Sequence, residues 1–160
     1  MRKPLIALSA VVLLACPVQA GQPGEIATDA LYAGKLAEGI ARLEPLAAAD
    51  DPGAWLGIGA IRLTQAIEHL SQALYRHGFA VDAAPNAFGM GIVLPIPQNP
   101  NPEPLDYAGV RAILGDFVLG LDEARAAFET AAESGDYVIE LNPLKIRVDA
   151  NGDGTVEEAE

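Results

Sequence analysis

Six prolines fall between Gly78 and Leu105, at positions 85, 95, 97, 100, 102 and 104. Each fixes its own φ and removes a backbone N–H, so no helix runs through this stretch. An extended, polyproline-like path is what remains. The stretch is also apolar, with Phe79, Phe88, Met90, Ile92, Val93, Leu94 and Ile96. Such side chains favour packing over floating in solvent. We therefore expect residues 78–105 to form a long ordered strap laid across helices. A ligand strand for a proline-binding domain is the lesser alternative.

The flanks carry helical periodicity. From Ile26 to Ala48 the apolar residues Ile26, Ala30, Ala33, Leu36, Ile40, Leu43 and Leu46 recur at helical spacing. Lys35, Glu38, Arg42 and Glu44 form the wet face, and Thr28 or Asp29 could cap the start. "ADDPG" ends this element. A second helix is predicted from Ala54 to about Arg76, with the stripe Leu56, Ile58, Leu63, Ile67, Leu70 and Leu74. Its apolar arc is wide, which places it centrally. A third begins at the N-cap Asp106 and runs to Ser134–Gly135. Its stripe is Val110, Ile113, Leu114, Phe117, Leu121, Ala124, Phe128 and Ala131. Trp55, Tyr32, Tyr75 and Phe117 sit at helical spacings and read as core. The fold class expected is all-α, a small domain of about three long helices with the strap and a C-terminal loop.

A chain of 160 residues suffices for one domain with a real core. Hydrophobic residues make up 51% and charged residues 20%, which is not a disordered composition. The net charge of −12 argues against nucleic acid as a partner, because binding it needs a basic face. The acidic balance suits cations or simple solubility.

The N-terminus reads as a secretory signal over residues 1–20: Arg2 and Lys3, an apolar run from Leu5 to Ala15, then small residues. The run is too short to span a membrane. Val18-Gln19-Ala20 fits ordinary cleavage before Gly21. Leu13-Leu14-Ala15-Cys16 resembles a bacterial lipoprotein box, which would leave a lipid on Cys16. Both readings imply export, to the periplasm or beyond, and a membrane enters only if Cys16 is lipidated. Cys16 is the sole cysteine, so no disulfide can form within the chain.

After the helical domain (21–136), "DYVIELNPLKIRV" alternates loosely and contains Pro143, so it reads as extended or as a broken helical turn. It leads into "DANGDGTVEEAE", Asp149 to Glu160. Oxygen-bearing groups fall at loop positions 1, 3, 5, 7, 9 and 12: Asp149, Asn151, Asp153, the Thr155 carbonyl, Glu157 and Glu160. Gly154 stands at position 6, where the chain must turn sharply, and the apolar Val156 stands at position 8. The D-x-[DN]-x-[DN]-G-x₅-E pattern is complete. These twelve residues resemble the EF-hand calcium loop, and "DANGDG" resembles the loop of dockerin modules. The resemblance implies one Ca²⁺ held by Asp149, Asn151, Asp153, Thr155, Glu157 and Glu160. The plainer alternative is an acidic, solvated tail.

Two features depart from that family. Pro143 and the β-branched Val138, Ile139, Ile146 and Val148 argue against a regular incoming helix. No exiting helix follows Glu160, and no second loop matches, so we expect a truncated gene product or an isolated loop grafted on a helical domain. "LEPLAAADDPGAWLGIG", Leu43 to Gly59, resembles one junction of tetratricopeptide or Sel1-type helical repeats. That likeness implies an interaction scaffold in which calcium is incidental.

Nothing points to catalysis. There is no nucleophile elbow and no glycine-rich phosphate loop after a strand. His69 and His77 lie about 12 Å apart along a helix axis, too far to share an ion even with Glu68 beside them. Glu123 and Glu129 read as a solvated face. The sequence therefore predicts an exported calcium-binding protein that is not an enzyme. A helical interaction scaffold is the alternative.

Overall fold

A computed structural model describes residues 21–79 and 96–158 of the chain. Those residues form four helices: α1 (Gln22–Ala33), α2 (Leu36–Ala47), α3 (Pro52–Arg76) and α4 (Tyr107–Ser134). A 3₁₀ turn at Pro143–Lys145 follows, then two short strands, β1 (Arg147–Val148) and β2 (Glu157–Glu158). The all-α expectation holds, but with four helices in place of three. The signal segment 1–20 and residues 80–95 of the expected strap lie outside the described residues. Among the described residues, no helix is long and apolar enough to cross a membrane.

The single helix expected over Ile26–Ala48 breaks at Gly34. Its φ of +66° lies in the left-handed region, which closes α1 with a bond from the Gly34 N–H to the Ala30 carbonyl. Lys35 then starts a new direction into α2. The apolar spacing stays nearly in phase across this break, so periodicity alone could not reveal it. Neither expected cap serves there. Thr28 lies mid-helix and donates its hydroxyl to the Gly24 carbonyl at 2.8 Å, while the helix begins at Gln22, with Gly21 as its N-cap and Pro23 in its first turn.

α3 is capped by Asp51, whose carboxylate accepts from the Gly53 and Ala54 N–H groups at 2.8 and 3.3 Å. Pro52 follows as the first helical residue, where its missing N–H costs nothing. α3 packs against α1, α2 and α4 and is the central element. Asp106 caps α4 by accepting from the Gly109 N–H at 2.7 Å, as expected.

The main core joins Ile26, Ala30, Leu31, Leu36, Leu43, Ala54, Ile58, Ile61 and Ala127. Leu31, Leu43 and Ile61 are fully buried. Three residues of the expected stripes are instead exposed, Ala33 on α1, Leu63 on α3 and Leu114 on α4. α3 turns Ile61 inward where Leu63 was expected. α4 seals the core with the small residues Ala124, Ala127 and Ala131. A second, smaller cluster gathers Leu70, Leu74 and Ile96 against Tyr75, Ile113 and Phe117.

The described part of the proline-rich stretch, 96–105, serves the end of α3. Asn99 donates its amide to the carbonyls of Tyr75 and Arg76 at 2.9 and 3.2 Å. The Glu103 N–H reaches the Arg76 carbonyl at 2.9 Å. These bonds satisfy carbonyls that the last turn of a helix leaves without partners.

Candidate metal centre

The segment leading to the loop has no incoming helix, as Pro143 and its β-branched neighbours predict. Polar anchors fix it to the bundle. The Gly21 N–H donates to the Tyr137 hydroxyl at 2.7 Å, and the Asn142 N–H donates to the Tyr32 hydroxyl at 2.7 Å. Lys145 places its ammonium 5.8 Å from the centre of the Tyr32 ring. Ile139, Leu141 and Ile146 add apolar contact with the core.

The loop itself is mounted on α3 through the main chain of its first residue. The Asp149 N–H donates to Glu68 Oε2 at 2.9 Å. Gln72 Nε2 donates to the Asp149 carbonyl at 2.8 Å. Glu68 and Gln72 are one turn apart on α3, so the two side chains grip both faces of one peptide residue. Ala150 is buried beside them. Burial is the largest influence on Glu68 and raises the pKa of its carboxyl. The bond from the Asp149 N–H opposes that rise, the Asp149 charge adds to it, and His69 opposes it.

Beyond Asp149 the chain coils around that residue's side chain. Asp149 Oδ1 accepts from the N–H groups of Gly152 and Asp153 at 2.7 and 3.2 Å. Its Oδ2 accepts from Gly154 at 2.8 Å. Asn151 Oδ1 accepts from the Asp153 N–H at 2.9 Å, and its amide donates to Asp153 Oδ2 at 3.0 Å. Asp153 Oδ1 accepts from the Thr155 N–H at 2.7 Å. The Thr155 N–H and the Asn151 amide hold the Asp153 carboxyl below the usual range. Gly152 and Gly154 both take positive φ, +78° and +85°, which permits so tight a winding.

The structure thus brings together three of the six expected site residues, Asp149, Asn151 and Asp153. Thr155 follows directly, tied by its N–H. The Glu157 side chain and Glu160 lie outside the described residues. Among the described residues, no group of three or more His, Cys, Asp or Glu stands ready to hold a metal ion. The donor count still bears on fit. A carboxylate offers about four lone-pair sites and a carboxamide oxygen two. With the bonds above, Asp149 Oδ2 and Asn151 Oδ1 each keep one lone pair; the Thr155 side chain also bonds the Asp153 carboxylate, which keeps one. An all-oxygen set of this kind has the chemistry of hard cations.

The loop closes differently from the family it resembles. Arg147 pairs with Glu158 and Val148 with Glu157, in antiparallel register. A two-residue ladder therefore stands where an exiting helix would start. Val156, at loop position 8, packs on Gly34; a Cβ at Gly34 would overlap the Val156 side chain. Position 8 meets the α1–α2 turn in place of a second loop.

Sequence reasoning did not single out Glu68 and Gln72 as loop supports, nor Gly34. The available signal was a polar pair spaced i, i+4 in line with the buried Ile61 and Thr64 on the central helix. The two histidines take separate roles, as their spacing predicted: His77 Nδ1 lies 3.1 Å from the Glu103 carbonyl, and His69 lines a groove on α3. Glu123 and Glu129 do not act together, because Glu129 pairs with Arg125 at 2.8 Å. No protein-family model matches this chain, and neither does any curated protein or solved structure.

Proposed function

We propose that this is an exported protein that binds one calcium ion in its C-terminal loop and uses it to fix residues 137–160 on the helical bundle. The observation that carries the reading is the complete ligand spacing, with Asp149, Asn151, Asp153, Thr155, Glu157 and Glu160 as ligands and glycine at position 6. The free lone pairs on Asp149, Asn151 and Asp153 support it. So does the mounting of the loop on the central helix, which suits a structural staple better than a switch. A site of the ~10⁻⁴–10⁻³ M class would fill in a calcium-rich extracytoplasmic setting. No catalytic role is proposed.

Calorimetric titration with calcium tests this, beside the double variant Asp149→Ala, Glu160→Ala. One saturable site, lost in the variant, upholds the reading. Absence of heat at millimolar calcium would reduce the loop to an acidic tail. Mass spectrometry of the exported protein tests the localisation. A start at Gly21 supports ordinary cleavage, and a lipidated Cys16 supports an anchor.

One observation favours an interaction scaffold as the second reading. α4 exposes Tyr107 at 76%, Val118 at 54% and Leu119 at 62%. Such apolar exposure on one helix suits a protein partner. Cross-linking centred on Val118 would reveal it.

A further inference from the structure

Among the described elements, α4 packs closely on one neighbour, α3. Ala124, Ala127 and Ala131 face inward there and are buried. The opposite side of α4 carries Leu114, Val118 and Leu119, all exposed. Arg111, Gly115, Val118 and Asp122 follow one another at steps of four, three and four, so they form one line along this outer face. Leu114 and Leu119 flank the line on its two sides. Gly115 leaves a notch in it: a Cβ added there would meet nothing within 4 Å.

This face is complementary to itself when turned end over end. A second copy of α4 can lie antiparallel on the first, with the two-fold axis level with the peptide that joins Asp116 to Phe117. Arg111 then comes level with Asp122 of the second copy. Val118 comes beside Leu114 of the second copy, on one side of the seam. Leu119 comes over the notch at Gly115 of the second copy, on the other side. The two-fold axis makes each contact twice. Opposite charges close both ends, and apolar contact fills the middle. A parallel pair would set Arg111 against Arg111 and Asp122 against Asp122, like against like.

The charged groups are available for this. Among the described residues, no ion pair or hydrogen bond engages the Arg111 guanidinium. Arg125 bonds Asp122 through Oδ1, and Oδ2 takes no part in that pair. A carboxylate has room for a second guanidinium there. Two copies of a chain with net charge −12 repel at long range. A face on which each aspartate meets an arginine is where that repulsion is offset.

We propose that this face of α4 is the seam of a symmetric, antiparallel homodimer. The inference rests on the interaction reading above and names its partner, a second copy of this chain.

Sedimentation equilibrium of the purified protein in chelator tests it, with circular dichroism as the check on folding. A concentration-dependent dimer is expected. Val118→Asp, Arg111→Glu and Asp122→Arg should each weaken it by about tenfold or more. The double variant Arg111→Glu, Asp122→Arg should restore it, because the swapped charges still meet across an antiparallel seam. A protein that stays monomeric at millimolar concentration overturns the proposal, and cross-links from position 118 to a different protein would then uphold the scaffold reading without it. A dimer that survives Val118→Asp, or that the charge swap fails to restore, has its contact elsewhere or in another register and overturns it too.

Discussion

The bundle of α1–α3 and the C-terminal segment from Asp136 onward are held by different means. The bundle buries Leu31, Leu43 and Ile61 completely, and its contacts are apolar and continuous. The C-terminal segment rests on single polar bonds to Gly21, Tyr32, Glu68 and Gln72, plus a few half-buried apolar side chains. Apolar burial sums over many contacts and tolerates the loss of any one. Point anchors fail one at a time, and each net bond contributes only about 1 kcal/mol. The contrast shows where a bound ion could matter: calcium would add nothing to the bundle, but it would hold together the part that packing holds least.

The strongest way to break the comparison is inside the bundle. Leu43→Ala should cost about 2–5 kcal/mol, read from urea melts, with the same loss in calcium and in chelator. If calcium altered that loss, the two regions would not be independent. Next comes the loop. Asp149→Ala removes the acceptor of three N–H bonds as well as a proposed ligand. In the intact protein, calcium at a hundred times its Kd should stabilise by about 2.7 kcal/mol. Scanning calorimetry should show that gain abolished in Asp149→Ala, with the bundle still folded.

Gly34 sits where the regions meet. Gly34→Ala forces a side chain into left-handed backbone, at about 1–2 kcal/mol, and drives a methyl into Val156. The double variant with Val156→Ala should recover the steric part and leave the backbone part, a coupling that a double-mutant cycle measures.

Glu68 gives a smaller, pH-dependent effect. Its carboxyl pKa is raised in the folded state, with Asp149 and His69 as the charged groups facing it. A raised folded pKa means that its contribution is fully present below the ordinary carboxylate value and is lost as pH rises through the raised one. Glu68→Gln keeps an oxygen for the Asp149 N–H but cannot titrate, so melting temperature should vary less with pH across that window. Glu68→Ala should instead loosen the loop at every pH, seen as faster amide exchange at Asp149. Least of all, Arg125→Ala on the exposed face of α4 should leave the melting temperature within error.

What could be read in advance divides along similar lines. α3 and α4 were legible because each runs long with its own period, and Asp106 marks the start of α4. The start of α3 lies two residues before the expected Ala54, because Asp51–Pro52 reads in the sequence only as the end of the preceding element. The break at Gly34 was not, because glycine's left-handed turn leaves the apolar spacing intact. The loop's ligand order was visible residue by residue. Its mounting was not, because the Asp149 bonds reach back 81 and 77 residues to Glu68 and Gln72. The ladder that closes it spans two residues a side, too short to print a period in the sequence.

The clamp on Asp149 seizes backbone atoms and leaves the side chain alone. Socket and fitting are therefore separate parts. Glu68 and Gln72 would hold any residue that offers an N–H and a carbonyl at position 149, whatever that residue presents to an ion. An engineer could exchange the ligand at that position, for sulfur or imidazole and a softer metal, without rebuilding the joint that carries it.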